Sequence, residues 1–309
     1  MMSDEPIVLR GVEEMHSYTI KKPLGFVPTM GYLHEGHLSL VRRAREECAT
    51  AVVSIFVNPL QFGLGEDFER YPRDLGRDTA LAKAAGADAL CMPGVAALYP
   101  EGFATEVRVR GVEDILEGAA RPGHFAGVAT VLAKLLNIVG PERMYMGQKD
   151  AQQAFLVGRM IRDLNFPTQL VVCPTVRESD GLAMSSRNVY LSGEEREAAA
   201  TIPRALFAAR DTGSADPDIL EKTVREILTS DPLIALEYAS ANDAATLGPV
   251  TPGTVEILLS LAARVEDPAH RQRGNKAVEV RQVLRLSSSL AVGNFTKSAV
   301  ADNIRLGRT

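Results

Sequence analysis

Through the first two thirds of the chain, short apolar runs alternate with stretches of helical period, and no other feature restricts the possible folds as much. Runs at residues 24–27, 51–57, 87–92, 144–147 and 169–173 read as strands. Residues 37–48, 79–85, 128–139 and 152–164 read as helices between them. Strands separated by helices pair in parallel and are covered on their faces, so an α/β, Rossmann-like sheet is expected, with ligands meeting the carboxyl ends of the strands. Each of four strands runs into a polar segment: PTMGYLHEGH after Val27, NPLQFG after Val57, GQKDAQQ after Met146 and PTVRESDGLAMSSRN after Cys173. These four loops are expected to converge on one edge of the sheet.

Beyond about residue 190 the texture changes. An Ala- and Glu-rich helix at 194–209 precedes a polar break at 211–218, a helical stretch to about 228 and strand-like runs at 235–240 and 255–265. A smaller α+β domain is therefore expected from about Leu191, dividing the chain into 1–190 and 191–309.

Composition narrows the function. The 309 residues are 46% hydrophobic and 24% charged, with net charge −5 and no long basic run. That argues against an extended nucleic-acid or membrane-binding surface and for small ligands. No apolar stretch approaches the ~18 residues of a membrane span, and the N-terminus lacks the pattern of a secretory signal, so the chain is expected in the cytoplasm. Cys48, Cys91 and Cys173 have no CxxC spacing, so neither a disulfide framework nor a zinc site is expected.

The polar loops carry the candidate chemistry. His34 and His37, three apart, share one face of a helical turn, and Gly36 between them permits close approach of a ligand. A helix N-terminus offers free N–H groups to phosphate oxygens, and imidazoles there add hydrogen bonds or charge; a capping histidine beside a packed one is the plainer alternative. Asn58 and Gln61 offer neutral donors and acceptors to a carboxylate, amine or hydroxyl, or simply form a turn. Lys149 supplies an ammonium and Asp150 a carboxylate, followed by Gln152 and Gln153. Ser185, Ser186 and Arg187 place two hydroxyls and a guanidinium in one loop, suited to a triphosphate. Taken together, an HxGH element with a downstream MSSR loop is the layout of Rossmann-like, adenylate-forming nucleotidyltransferases.

The segments FVPTMGYLHEGH, VSIFVNPLQFG, YPRD, LYPEGF, LEGAARPGHFAGV, GQKDAQQ and PTVRESDGLAMSSRNVYL, in this order over about residues 24–195, resemble the pantothenate synthetase (pantoate–β-alanine ligase) family. The resemblance implies that ATP and (R)-pantoate, with Mg2+, give pantoyl adenylate and pyrophosphate, and that β-alanine then displaces AMP to give pantothenate. It assigns Pro28, Thr29, Met30, Gly31, His34, His37, Gly147, Lys149, Asp150, Val176, Met184, Ser185, Ser186 and Arg187 to ATP. His37 takes the place of a proton donor, and His34 lies close to the α-phosphate. Gln61, with Asn58 in the same segment, is assigned to pantoate and β-alanine, and Gln153 to pantoate. Asp78 is expected near the magnesium, and a homodimer is implied.

Departures from the family pattern are Gln148 and Ala151 in GQKDAQQ, where GEKDYQQ is common, and Arg77 beside Asp78. Some thirty extra residues precede KSAVADNI, which from Lys297 is expected to form the closing strand. Within them the segment at about 266–292 reads as a solvated extended hairpin or mobile loop far from the chemistry, with a partner- or oligomer-contacting element as the alternative, and its deletion is expected to leave activity largely intact. Another HxGH nucleotidyltransferase and an inactive nucleotide-binding regulator are the alternatives; NPLQF with Gln153 speaks against the first, and the retained histidines, Lys149 and Arg187 against the second.

Overall fold

A computed structural model describes residues 6–63, 65–266 and 277–287. It divides into two compact units between Pro174 and Thr175. In the first unit the chain runs through β1 (Ile7–Leu9), α1 (Val12–Ser17), β2 (Leu24–Thr29), α2 (Glu35–Glu47), β3 (Thr50–Ile55), α3 (Leu75–Ala84), β4 (Ala89–Cys91), α4 (Val95–Leu98), α5 (Leu116–Ala120), α6 (His124–Val139), β5 (Arg143–Gly147), α7 (Ala151–Asp163) and β6 (Gln169–Cys173). The strands form one sheet in the order β1-β4-β3-β2-β5-β6, every neighbouring pair parallel. Among the described residues no helix is long and apolar enough to cross a membrane.

Alternation along the strands explains the two covered faces. Leu24 and Phe26 of β2 pack with Val52, Met144 and Met146 against α6 and α7. Val27, one step out of phase, joins Ala51, Val53 and Tyr145 against Leu38, Val41 and Ala44 of α2. A period of two thus sends successive side chains to opposite helix layers, and the strands read as nearly continuous apolar runs.

The sheet has its switch point between β2 and β5: the chain leaves β2 toward β3 and β4, then returns to place β5 and β6 on the other side. The carbonyl of Leu24 accepts from Glu142 on the β5 side, so residues 24, 26 and 28 present their backbone groups to β5. Pro28 has no N–H to give, and the β2–β5 register ends at Phe26 and Met144, while β2 stays paired to β3 through Thr29 and Ile55. The two strand ends therefore part, opening a crevice where ligands of such sheets bind.

The second unit contains α8 (Gly193–Ala199), α9 (Thr201–Asp211), α10 (Pro217–Thr229), β7 (Ile234–Asp243), β8 (Glu256–Val265) and β9 (Val278–Ser287), the strands forming an antiparallel sheet in that order. Ile257, Leu259, Leu261, Ala263 and Val265 of β8 bury one face of this sheet against the helices. The expected boundary near Leu191 falls inside this unit, just before α8. The single helix expected at 194–209 is two, interrupted at Ala200. Pro203 is the reason: its ring nitrogen cannot donate to the Ala199 carbonyl, and its ring would collide with that carbonyl in an unbroken helix.

A larger correction concerns residues 278–287. They were expected in a dispensable hairpin but form β9, paired along its whole length with β8. Val280 and Leu286 are buried in the same core as β8. The closing strand expected from Lys297 lies outside the described residues. Leu286→Ala is expected to cost about 2–4 kcal/mol, measured by urea unfolding; a cost near zero would mean that β9 is not docked.

Candidate active site

The loop leaving β2 is held by contacts within the protein. Gly31 has φ +85°, a conformation natural to glycine, and a Cβ there would stand 3.0 Å from both Asp78 Oδ2 and Ile55 Cγ2. Thr29 Oγ1 donates to the Ser54 carbonyl at 2.7 Å and accepts from the Gly31 amide at 3.1 Å. Asp78, on α3, accepts the Tyr32 and Leu33 amides on its two oxygens, each at 2.7 Å.

This gives Asp78 a different task from the one expected beside magnesium. Its side chain is buried, both carboxylate oxygens are engaged by backbone, and Arg77 approaches Oδ1 at 3.6 Å while its guanidinium covers the Tyr32 ring. Burial pushes the carboxyl up, against the two amide hydrogen bonds that favour its charged form. Such a group is a clamp for the loop and does not fit a Mg2+ ligand. Among the described residues no cluster of three or more His, Cys, Asp or Glu is arranged to hold a metal.

His34 caps α2 and His37 lies in its first turn, the ring centroids 4.0 Å apart. The His34 amide donates to His37 Nδ1 at 3.4 Å, which leaves the proton of a neutral His37 on Nε2. His34 Nδ1 is buried without a hydrogen-bond partner among the described residues. Burial pushes His34 down to about 2, with His37, Lys149 and Arg77 adding to the effect. Burial also lowers His37, to about 4, Asp150 opposing and Lys149 assisting. Both imidazoles are therefore neutral near pH 7. Lys149 and Asp150 lie in the turn between β5 and α7, Nζ 3.1 Å from Oδ1, directly after Gly147. The β2 and β5 ends thus bring His34, His37, Lys149 and Asp150 to one crevice, as the motifs led one to expect.

Asn58 and Gln61 stand at the end of β3 in a turn of 3-10 helix, Pro59–Gln61. Asn58 fills its hydrogen-bonding capacity: Oδ1 accepts from Tyr99 Oη at 2.8 Å and the Leu60 amide at 3.3 Å, and Nδ2 donates at 3.1 Å to both the Gly127 carbonyl and Gln61 Oε1. Asn58 therefore positions Gln61 and has little left for a substrate. Among the described residues Gln61 Nε2 meets only the thioether of Met30, at 3.0 Å, a strong donor facing a weak acceptor. Gln153 lies in the first turn of α7, and its side chain makes no hydrogen bond among the described residues.

Beneath Gln61 lies a layer that the sequence had not singled out. The Gln61 carbonyl accepts from His124 Nδ1 at 2.8 Å and from Arg121 at 3.3 Å, and Arg121 also contacts His124 Nε2 at 2.9 Å. Since arginine can only donate, His124 Nε2 must accept, which places its proton on Nδ1 toward Gln61. Arg121 pairs in addition with Glu66 and Glu117; burial alone would raise the Glu66 carboxyl, but this pairing holds it below the usual carboxylate range. At Gly127 a Cβ would lie 2.2 Å from the Leu60 carbonyl oxygen, so only glycine lets α6 approach the turn this closely. Gln152 Oε1 accepts the Glu117 amide, and its Nε2 donates to the carbonyls of Val112 and Ile115.

In the second unit the Met184 amide donates to the Val176 carbonyl at 3.0 Å, making residues 176–184 a tight hairpin. Ser185 Oγ accepts the Arg187 amide at 3.3 Å, and Ser186 opens a further turn of 3-10 helix, Ser186–Tyr190.

A family model described as pantoate-beta-alanine ligase matches residues 7–273. The chain belongs to the pantoate–β-alanine ligase family. The pantothenate synthetase of Heliobacterium modesticaldum is 53% identical over 262 residues, 84% of this chain and 92% of that one. The pantothenate synthetase of Chloroflexus aggregans is 54% identical over 247 residues, covering 79% and 89%. The crystal structure of pantothenate synthetase from Thermus thermophilus superposes with a TM-score of 0.83 at 46% identity, covering 91% of this chain and 99% of that one. The pantoate-beta-alanine ligase of Francisella tularensis, complexed with beta-gamma ATP and β-alanine, gives 0.71 at 31% identity, covering 92% and 98%. For a pantoate–β-alanine ligase, the positioning residues Arg121, His124 and Gly127 were present in the quoted LEGAARPGHFAGV; their purpose is legible only once α6 is seen against the turn at 59–61.

The neutral histidine pair has a consequence for stability. Below the ordinary histidine pKa of 6.5 and down to about 4, the unfolded chain takes up protons that folded His37 refuses, and likewise for His34. Stability therefore falls as pH drops through this window. Urea unfolding between pH 7.5 and 5 is expected to show a shallower loss in a His34→Gln/His37→Asn variant than in the wild type; equal slopes would contradict the assignment.

Proposed function

We propose that the chain condenses (R)-pantoate with β-alanine at the expense of ATP, through a pantoyl adenylate. Besides family membership, the observation that carries this reading is the neutral His34–His37 pair opening α2 beside Lys149 at the switch-point crevice. The pantoate carboxylate attacks the α-phosphorus, a P–O bond forms and pyrophosphate leaves. The amine of β-alanine then attacks the acyl carbon, loses a proton and expels AMP, giving pantothenate.

The first step crowds negative charge at phosphorus, and preorganised donors serve it best. His37 offers Nε2–H, α2 offers its free amides, and Lys149 offers an ammonium that exchanges Asp150 for phosphate. Phosphate charge favours the protonated imidazole, so nucleotide binding raises the pKa of both histidines. Pro28, Thr29, Met30, Gly31, Gly147 and Asp150 complete the first unit's part in ATP binding. Val176, Met184, Ser185, Ser186 and Arg187 are the second unit's part. Gln61 Nε2, poorly satisfied by Met30, donates to pantoate oxygens, and Gln153 serves pantoate from α7. Mg2+, when bound with ATP, would supply charge neutralisation to the phosphates, and no carboxylate of this chain is assigned to it. We place the reaction in the cytoplasm and the active form as a homodimer, which sedimentation of the purified chain would test.

The deciding experiment follows pyrophosphate release from ATP, Mg2+ and pantoate with and without β-alanine, with AMP and pantothenate identified by mass spectrometry. A single-turnover burst with pantoate and sustained turnover on adding β-alanine are expected. ATP binding without pyrophosphate release would favour an inactive regulator and direct attention to Gln148 and Ala151. His37→Ala and Lys149→Ala are each expected to slow adenylate formation by ~10² or more; near-normal single-turnover rates would remove them from the mechanism. In Gln61→Ala the Michaelis constants for pantoate and β-alanine should both rise, because a buried polar site loses discrimination with its partner group. Unchanged constants would argue against that pocket.

A further inference from the structure

One side chain of β9 is out of keeping with its row. Antiparallel pairing sets Val280, Gln282, Leu284 and Leu286 opposite Ala263, Leu261, Leu259 and Ile257, on the face that builds the second unit's core. Gln282 is the polar member of that row and is fully buried, with Nε2 lacking a hydrogen-bond partner among the described residues. A strand needed only for packing would carry an aliphatic residue here, since a buried donor left unmade costs stability.

The purpose of Gln282 is visible at its other atom. Its Oε1 accepts from Arg177, whose guanidinium also donates at 3.0 Å to the Gly181 carbonyl and at 3.0 Å to the Val283 carbonyl, and lies 5.3 Å from the Phe207 ring centre. Arg177 thus ties the tip of the 176–184 hairpin to the backbone and side chain of β9. The neighbouring carboxylates are otherwise engaged: Glu178 and Asp180 both pair with Arg196. A guanidinium held by neutral acceptors, with burial pushing its pKa down, is a costly fastening that packing does not require. From the hairpin the constraint passes onward: Asn188 Nδ2 bonds the Ala183 carbonyl at 3.2 Å and Glu178 Oε1 at 2.8 Å, tying the hairpin to the Ser186–Tyr190 turn, which also contacts β9.

We propose that Arg177 and Gln282 are positioning residues that hold residues 176–187 in the form that meets the nucleotide, so that β9 serves ATP use as well as the core. This rests on the ATP-dependent reading given above. It reverses the expectation that the segment around 266–292 can be removed without effect.

The test compares the full-length wild type with Gln282→Leu and Gln282→Glu. The glutamate keeps an acceptor for Arg177, whereas leucine keeps only the volume. Gln282→Leu is expected to raise the Michaelis constant for ATP about tenfold or more, as for loss of a hydrogen bond to a charged group, with the constant for pantoate unchanged. Gln282→Glu should stay within about twofold of the wild type for ATP. Hydrogen exchange gives a readout independent of catalysis: amides at 176–187 should exchange faster in Gln282→Leu and not in Gln282→Glu, while β7 and β8 keep their protection. If Gln282→Leu does not fold, Arg177→Lys replaces it, because an ammonium lacks the planar fork that reaches all three acceptors, and the same changes are expected. Unchanged exchange at 176–187, or an effect shared equally by ATP and pantoate, would overturn the proposal. A wild type that releases no pyrophosphate would count against the ligase reading alone, and the exchange comparison would still decide whether Gln282 holds the hairpin.

Discussion

The parting of β2 from β5 at Pro28 is the constraint on which the first unit depends. A parallel sheet covered on both faces is closed to ligands except where neighbouring strand ends diverge. Here the divergence is chemical as well as topological: the ring nitrogen at position 28 has nothing to donate at the point where the next rung toward β5 would form. The opening can therefore lie between the two loops that carry the histidines and Lys149 without breaking any other rung of the sheet.

Around that opening the protein spends buried polar groups on holding backbone. Asp78 secures the loop after β2, Asn58 orients Gln61, and Arg121 with His124 fixes the Gln61 carbonyl. Satisfied networks of this kind are rigid because each member is costly to leave unpaired. Among the described residues, His34 Nδ1 and Ser54 Oγ are buried without a hydrogen-bond partner and Gln61 Nε2 has a thioether, and these groups stand out against this background. Neutral histidines suit such a site, since two imidazolium ions beside Lys149 and Arg77 would repel one another before phosphate arrived.

Much of this was legible in the sequence where local rules govern. The strand expected at 169–173 is β6, and the strands expected at 24–27 and 51–57 overlap β2 and β3, because buried parallel strands announce themselves as apolar runs. β1 escaped notice because three residues at a sheet edge carry too little pattern. Pro203 contained the break between α8 and α9, masked by the helix-forming alanines around it. β9 was hidden for another reason: the family pattern pointed to the residues after Lys297, although the alternation from Val278 to Leu286 was already strand-like. In the candidate site, the residues on strand-end loops were visible as motifs. The clamping task of Asp78 and the layer beneath Gln61 were not, because the partners lie 45 or 46 residues away for Asp78 and 63 for the His124–Gln61 contact.

The dipeptide Asn58-Pro59 has a bearing on how long such a site lasts. Asparagine ordinarily ages to aspartate when the following backbone nitrogen attacks its side-chain amide and closes a succinimide ring. Proline at that position lacks the hydrogen that ring closure must expel. The amide whose donors and acceptors are all committed around Gln61 is thus shielded from the commonest spontaneous chemistry of its residue type by the same proline that stiffens its turn, and the pocket is built to endure covalently as well as to hold its shape.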